Sequence, residues 1–286
     1  MTQFRRHRRF ELASTSSGNS APGKTFIFLF LFFLAPVAVL GQQPIDHSHW
    51  DHVLKRYVHN GLVDYQGLLQ ARSELDDYLR QVEAVSVEIL GEASREERLA
   101  FWINLYNASV IRMILDQYPI ERFDQIPAAF GIRTIRAVDE FFSLSELRDQ
   151  VLRQGFRDER VLCALVSGRM DSPRLFREAF RGEHLEDQLN RVAHVFAEDE
   201  RQNHIKPGEK KIFLSPMFHT FGEDFLLNFG NPNSTSNFSA TETAVISFLL
   251  QYLGDPDKRL FLDSSQYRIQ YLPEDSRLND WSKRGE

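Results

Sequence analysis

The residue types that could do chemistry are few and far apart. Cys163 is the only cysteine, and it sits inside the apolar run Val161-Leu-Cys-Ala-Leu-Val166. A cysteine in such a run is a small hydrophobe with a raised pKa, not a thiolate. Ser167 and Ser172 flank a polar turn just after it. An exposed serine there would be a nucleophile candidate, but no Gly-x-Ser-x-Gly elbow surrounds either one. These two serines are the catalytic candidates, and Ser167 reads first as a turn residue. No histidine pair stands four residues apart, the spacing that puts two ligands on one helix face. His47, His49 and His52 cluster early in the chain and read as a solvated stretch. His184, His194, His204 and His219 are scattered. No metal site, no Gly-rich phosphate loop and no cofactor is expected.

Two amides ask for more explanation. Asn104 and Asn107 lie in a stretch that is apolar on nearly every side. A buried amide must find partners or cost about 1–3 kcal/mol. The expected roles are gripping nearby backbone, for example Gly61 to Tyr65, or orienting a ligand. Asp64 and Tyr65 of that segment join Asn104 and Asn107 as binding candidates. Asp224, an acid between aromatics in Phe221-Gly-Glu-Asp-Phe225, reads as a cap or an ion-pair partner.

The elements that must position these residues follow from pattern. Trp50, Val53, Leu54 and Tyr57 form one apolar stripe of a helix that Ser48 would cap. Gly61 to Tyr65 reads as a turn into an extended segment. Leu75, Tyr78, Leu79 and Val82 mark a second helix. The clearest helix spans about Arg95 to Gln117, opened by a Ser94/Glu97 capping box and stopped by Tyr118-Pro119. Val161 to Val166 has strand length, and Leu175, Phe176 and Phe180 suggest a short helix. Leu185, Leu189, Val192 and Phe196 mark another helix, and Lys211 to Leu214 a strand. Met217 to Phe229 reads as helical and Gly230 to Phe238 as a loop. A capping box at Ser239 and Glu242 opens a helix ending near Gly254. Arg268 to Leu272 alternates like an edge strand. The pattern as a whole is α+β: one helix-rich domain, residues 50–281, with a small, mostly antiparallel sheet.

Residues 1–41 have a different composition. Arg5, Arg6, Arg8, Arg9 and Lys24 precede the uncharged run Phe26 to Leu40. A basic leader, an apolar core and a short exit at Gly41 are the parts of a signal peptide. The run spans roughly 22 Å as a helix, short of a hydrocarbon core of about 30 Å. The expectation is export to the periplasm or medium; the alternative is a membrane anchor at residues 26–40. The whole chain has 34 Lys and Arg against 40 Asp and Glu. Without residues 1–41 the balance is 29 against 39, a net charge of −10. That argues against nucleic acid as a partner, and against a membrane except through the N-terminal segment. An unknown small molecule or protein is left as the expected partner.

Ordered motifs carry a resemblance. Gly61-Leu-Val-Asp-Tyr65, Phe101-Trp-Ile-Asn-Leu-Tyr-Asn-Ala108, and Asp158-Glu-Arg160 through Ser172-Pro-Arg-Leu175 come first. Phe218 to Phe225 and Tyr271 to Asn279 follow. Together they resemble the family catalogued as domain of unknown function 547. The resemblance implies an exported bacterial protein without an assigned activity. It also implies a His at position 162, a Cys at 172 and a Glu-His pair at 148 and 149. Here those positions hold Leu162, Ser172, Arg148 and Asp149. A Cys-His pair would suit a thiol hydrolase, and this chain lacks both; Cys163 does not replace the missing thiol. The expected function is therefore a non-catalytic binding or scaffold domain. The alternative is a hydrolase using Ser172 or Ser167, with Asp149 or Asp171 nearby. Any surviving site is expected where the Asn104/Asn107 helix meets the Ser167 to Pro173 turn.

Overall fold

A computed structural model describes residues 45–231 and 237–284. Residues 1–41, where an export signal or anchor is expected, and most of the 230–238 loop lie outside the described residues. Among the described residues, no helix is long and apolar enough to cross a membrane.

Helix α1 (Ser48–Tyr57) buries Trp50, Val53, Leu54 and Tyr57. Its start departs from expectation. Ser48 donates rather than accepts: its backbone N–H and hydroxyl both bond the Asp46 carboxylate. His47 is not solvated either. It is 3% exposed, with Nδ1 2.9 Å from the Tyr78 hydroxyl. Tyr78 is fully buried, and a buried hydroxyl requires a partner.

Strands β1 (Val58–His59) and β2 (Leu62–Val63) form a hairpin. Its two-residue turn holds Asn60 at φ +52° and Gly61 at φ +82°, the positive pair that tight hairpins use. Helix α2 (Tyr65–Gln70) is capped by Asp64, which accepts from the Gly67 N–H at 2.8 Å. Helices α3 (Arg72–Glu83) and α4 (Val87–Glu92) lead into α5 (Arg95–Leu115). The Ser94/Glu97 capping box opens α5 as expected. α5 is buried on every side from Leu99 to Ile111, and it packs on α3, on the 147–154 segment and on the later helix Leu185–Glu198.

Strands β3 (Ile135–Ala137) and β4 (Glu140–Phe142) form a second hairpin. Helix α6 (Leu144–Glu146) continues as a π-helix over Leu147–Gln154. The apolar run at 161–166, expected as a strand, instead winds as α7 (Val161–Ala164) and only then extends. Six apolar residues fit either state, and neighbouring contacts decide. No helix forms at Leu175 to Phe180, which is extended or bent. α8 (Leu185–Glu198) follows.

β5 (His204–Lys206) pairs antiparallel with β6 (Lys211–Leu214). The Met217 to Phe229 region is helical in pieces: α9 (Pro216–Phe221), a 3₁₀ turn and α10 (Leu226–Phe229). α11 (Ala240–Tyr252) starts at the Ser239/Glu242 capping box. α12 (Pro256–Asp263) was not legible in the pattern. β7 (Arg268–Tyr271) closes the three-stranded sheet, parallel to β6. The fold is helix-rich α+β, its strands spread over three small sheets. Phe218, Phe225 and Phe248 meet edge to face in the core beneath α9 to α11.

Side-chain amides satisfy the extended stretches that no strand reaches. Asn104 donates to the Phe180 carbonyl at 2.8 Å and accepts the Phe180 N–H at 2.9 Å. From the other side Gln188 donates to the Ala179 carbonyl and accepts the Arg181 N–H. Asn107 bridges the Ala164 carbonyl and the Val166 N–H, at 2.9 and 3.0 Å. The amides do grip backbone, but not at Gly61 to Tyr65. Asn279 serves that segment: it accepts from the Tyr65 hydroxyl at 2.7 Å and donates to the Gly61 carbonyl at 3.4 Å.

Two outcomes follow. Asn107→Ala leaves two buried backbone groups unpaired and is expected to destabilise by about 1–3 kcal/mol in urea unfolding; an unchanged midpoint would show the amide is not structural. Burial, with some help from Arg181, lowers the His47 pKa from 6.5 to about 4. The unfolded chain then binds the proton first, so stability present above pH 6.5 drains away as the pH falls toward 4. The loss attributable to this group is about 3 kcal/mol. Melts of His47→Gln at pH 7 and 4.5 should show a flatter acid decline than the parent; equal slopes would mean that His47 is not the sensor.

Candidate functional site

A cavity of about 210 Å³ lies where α5 meets the 165–173 segment. Tyr106 of α5 forms one wall. Leu162, Leu165 and Val166 form a second, held in place by the Asn107 clamp. Ser167, Arg169, Asp171 and Ser172 come from the turn, Arg148 from the π-helix, and Met217 and Phe221 from α9. Arg148, Leu162 and Ser172, three of the positions at which the resemblance implies other residues, thus line one space. Asp149 stands directly behind Arg148.

The π-helix sets the charged side of the cavity. Its wider turns shift side chains off the ordinary helical register. Arg148 bonds Asp149 through Nε and Nη2, both at 2.8 Å. Arg153 bonds Asp149 at 2.7 Å and forks onto Asp224 at 2.6 and 2.9 Å. Asp224 is therefore an ion-pair partner. The Arg148 guanidinium lies 5.4 Å from the centre of the Phe130 ring and 5.1 Å from that of Phe221. Such stacking suits a flat, weakly hydrated cation. Burial opposes ionisation of Asp149, yet hydrogen bonds from Arg148 and Arg153 outweigh it and hold the carboxyl below its ordinary range.

Among the described residues, no free base stands beside the catalytic candidates. The Ser172 hydroxyl accepts the Ser167 N–H at 2.9 Å and donates to the Pro173 carbonyl at 3.3 Å. No histidine lines the cavity. Asp149 and Asp171 are both taken up by arginine forks, Asp171 by Arg169 at 2.9 and 2.6 Å. A serine nucleophile needs a base within hydrogen-bond reach, and among the described residues neither hydroxyl bonds one. Cys163 is buried in α7, and burial pushes its thiol well above the ordinary value.

One lining group lacks a partner. Tyr106 is 2% exposed; its hydroxyl makes no hydrogen bond to protein among the described residues and opens onto the cavity. Burial pushes its pKa up to about 12, Arg148 pulling the other way. In the sequence Tyr106 reads as one member of an apolar stripe, which hides its polar end.

The four binding candidates do not converge on this space. Asn107 supports its wall from behind, and Asn104 serves the 180 segment. Asp64 caps α2, and the Tyr65 ring is fully buried against Asn279. Among the described residues no cluster of three or more His, Cys, Asp or Glu is placed to hold a metal ion.

Comparison with known proteins gives one positive finding. Residues 90–197 match the family described as protein of unknown function, DUF547. No curated protein and no solved structure matches the chain. The matched stretch carries α5, the π-helix, α7 and the 165–173 turn, so the chain resembles the DUF547 family over the part that builds most of the cavity.

Proposed function

We propose that the chain is an exported, non-catalytic binding domain that takes a small molecule in the Tyr106–Arg148 cavity. The Tyr106 hydroxyl carries this reading. The Tyr106 ring is buried but its hydroxyl opens onto the cavity and bonds no protein group among the described residues, which leaves it free to donate to a ligand acceptor. Aromatic walls at Phe130 and Phe221, with guanidinium donors beside them, favour a small planar or apolar body bearing an oxygen acceptor. At about 30 Å³ per water-sized group, the cavity holds on the order of seven heavy atoms. The serines, lacking a base, support binding over acyl transfer. Export rests on the basic leader and apolar run of residues 1–41; N-terminal sequencing of the mature protein tests it, because an intact Phe26 to Leu40 segment would mean an anchor.

Tyr106→Phe separates the readings. It keeps the ring and removes a hydroxyl that has no partner in the free protein. The melting temperature without ligand should stay level or rise. A ligand found by thermal-shift screening should bind about 2- to 10-fold more weakly to the variant, the worth of one hydrogen bond. A clear fall in unliganded stability would show that the hydroxyl is structural. Labelling of Ser167 or Ser172 by a fluorophosphonate probe, abolished by Ser→Ala, would replace binding with hydrolysis.

A further inference from the structure

A second cavity, of about 600 Å³, lies across the 167–173 turn from the first. Arg169 and Asp171 face the first cavity and Met170 faces this one. Its lining is cationic: Arg122, Arg174, Arg201, Arg277, Lys283 and Arg284, against the carboxylates Glu121 and Asp280. These six come from distant parts of a chain whose net charge is −6. Their convergence runs against the overall balance.

Backbone pairing brings two of them together. Arg122 and Arg277 are opposite each other in an antiparallel bridge, which puts like charges side by side on one face. Such a pair is destabilising unless something neutralises it. Asp124 and Asp275 each take one edge of their arginine, and Nη1 of both stays free of hydrogen bonds among the described residues. Arg174 and Arg201 share a single carboxylate, Asp199, which is 2% exposed and lies beneath them. Two cations on one buried anion leave one positive charge uncompensated. Lys283 has no ion pair among the described residues, and Arg284 rests on the Trp281 ring with its centre 4.0 Å away. Asp280 is turned inward, accepting from the Tyr118 hydroxyl and the Ser282 N–H.

We propose that this cavity binds a compact oxyanion of two or more negative charges, its oxygens received by the free guanidinium edges of Arg122, Arg201 and Arg277 and by the Lys283 ammonium. Planar guanidinium forks match phosphate and carboxylate oxygens alike, so both chemistries are candidates. Such a ligand would balance the positive charge that Arg174 and Arg201 leave over on Asp199 and that of Lys283, and a ligand bound only by the folded chain stabilises the fold.

Calorimetry and thermal melts with tripolyphosphate and with citrate, at low and at physiological salt, test the site. At least one of the two should bind, raise the melting temperature and weaken as salt rises. Tighter tripolyphosphate binding would assign phosphate chemistry, and tighter citrate binding carboxylate chemistry. Arg277→Gln with Lys283→Gln should weaken binding by about tenfold or more. Should the double variant unfold, Lys283→Gln alone, which breaks no ion pair among the described residues, should still weaken it measurably. Arg136→Gln, a surface arginine at another cleft, should leave binding unchanged. Binding of neither anion at low salt, an unchanged affinity in the Lys283 variants, or an equal loss in Arg136→Gln would overturn the proposal.

Discussion

Everything near the candidate site depends on a polar problem inside an apolar helix. α5 is enclosed on all sides, so any polar group it carries must be matched within the protein. Asn104 and Asn107 meet that demand by acting as strand partners. Each presents one donor and one acceptor to a single extended stretch, as a neighbouring strand would. The 179–181 stretch is held on both edges, by Asn104 on one side and Gln188 on the other. This arrangement lets irregular chain run through the interior without a sheet. It also ties the wall at Leu165 and Val166 to the buried helix α5.

The C-terminal stretch completes the same design from outside. Residues 275–280 bond in turn to Phe123, Glu121, Met170, Gly168 and Val63. They therefore join the hairpin, the segment after α5 and the 167–173 turn. Gly168 makes the close approach possible: its φ is +73°, and a Cβ there would lie 2.3 Å from Ile114 Cδ1. The turn, fixed on one side by the strap and on the other through Asn107, is the shared wall of two cavities of different character. One is lined by aromatic rings and a hydroxyl, the other by cations.

How much of this was legible depends on range. α5 could be read because 21 residues of continuous pattern and a capping box left no competing state. The run at 161–166 could not, because its extended half is partnered by the Asn107 side chain, not by a strand, and nothing local says so. The π-helix at 147–154 is likewise invisible to a 3.6-residue period. The junction of helix and turn was legible as a place where elements meet, but that Arg148, Leu162 and Ser172 line one cavity there was not, because they lie on three separate stretches of chain. The importance of Tyr106 was not, since its ring belongs to the buried stripe and only the cavity exposes what its hydroxyl lacks. The cationic cavity is assembled from six residues spread over positions 122 to 284, a convergence that only long-range pairing creates.

The charge network beside the first cavity bears on what that cavity can do. Arg148 is stacked between two phenyl rings and forked onto Asp149, and a guanidinium does not give up a proton in a protein. Tyr106 is held protonated by burial. Asp149, bonded to two arginines, is kept ionised but has its oxygens occupied. Proton transfer needs a group poised to change state near the working pH, and these three are each fixed in one state. What remains available is recognition: a planar cation, a hydroxyl awaiting an acceptor, and aromatic faces to exclude water. Those properties are what the proposed binding role rests on.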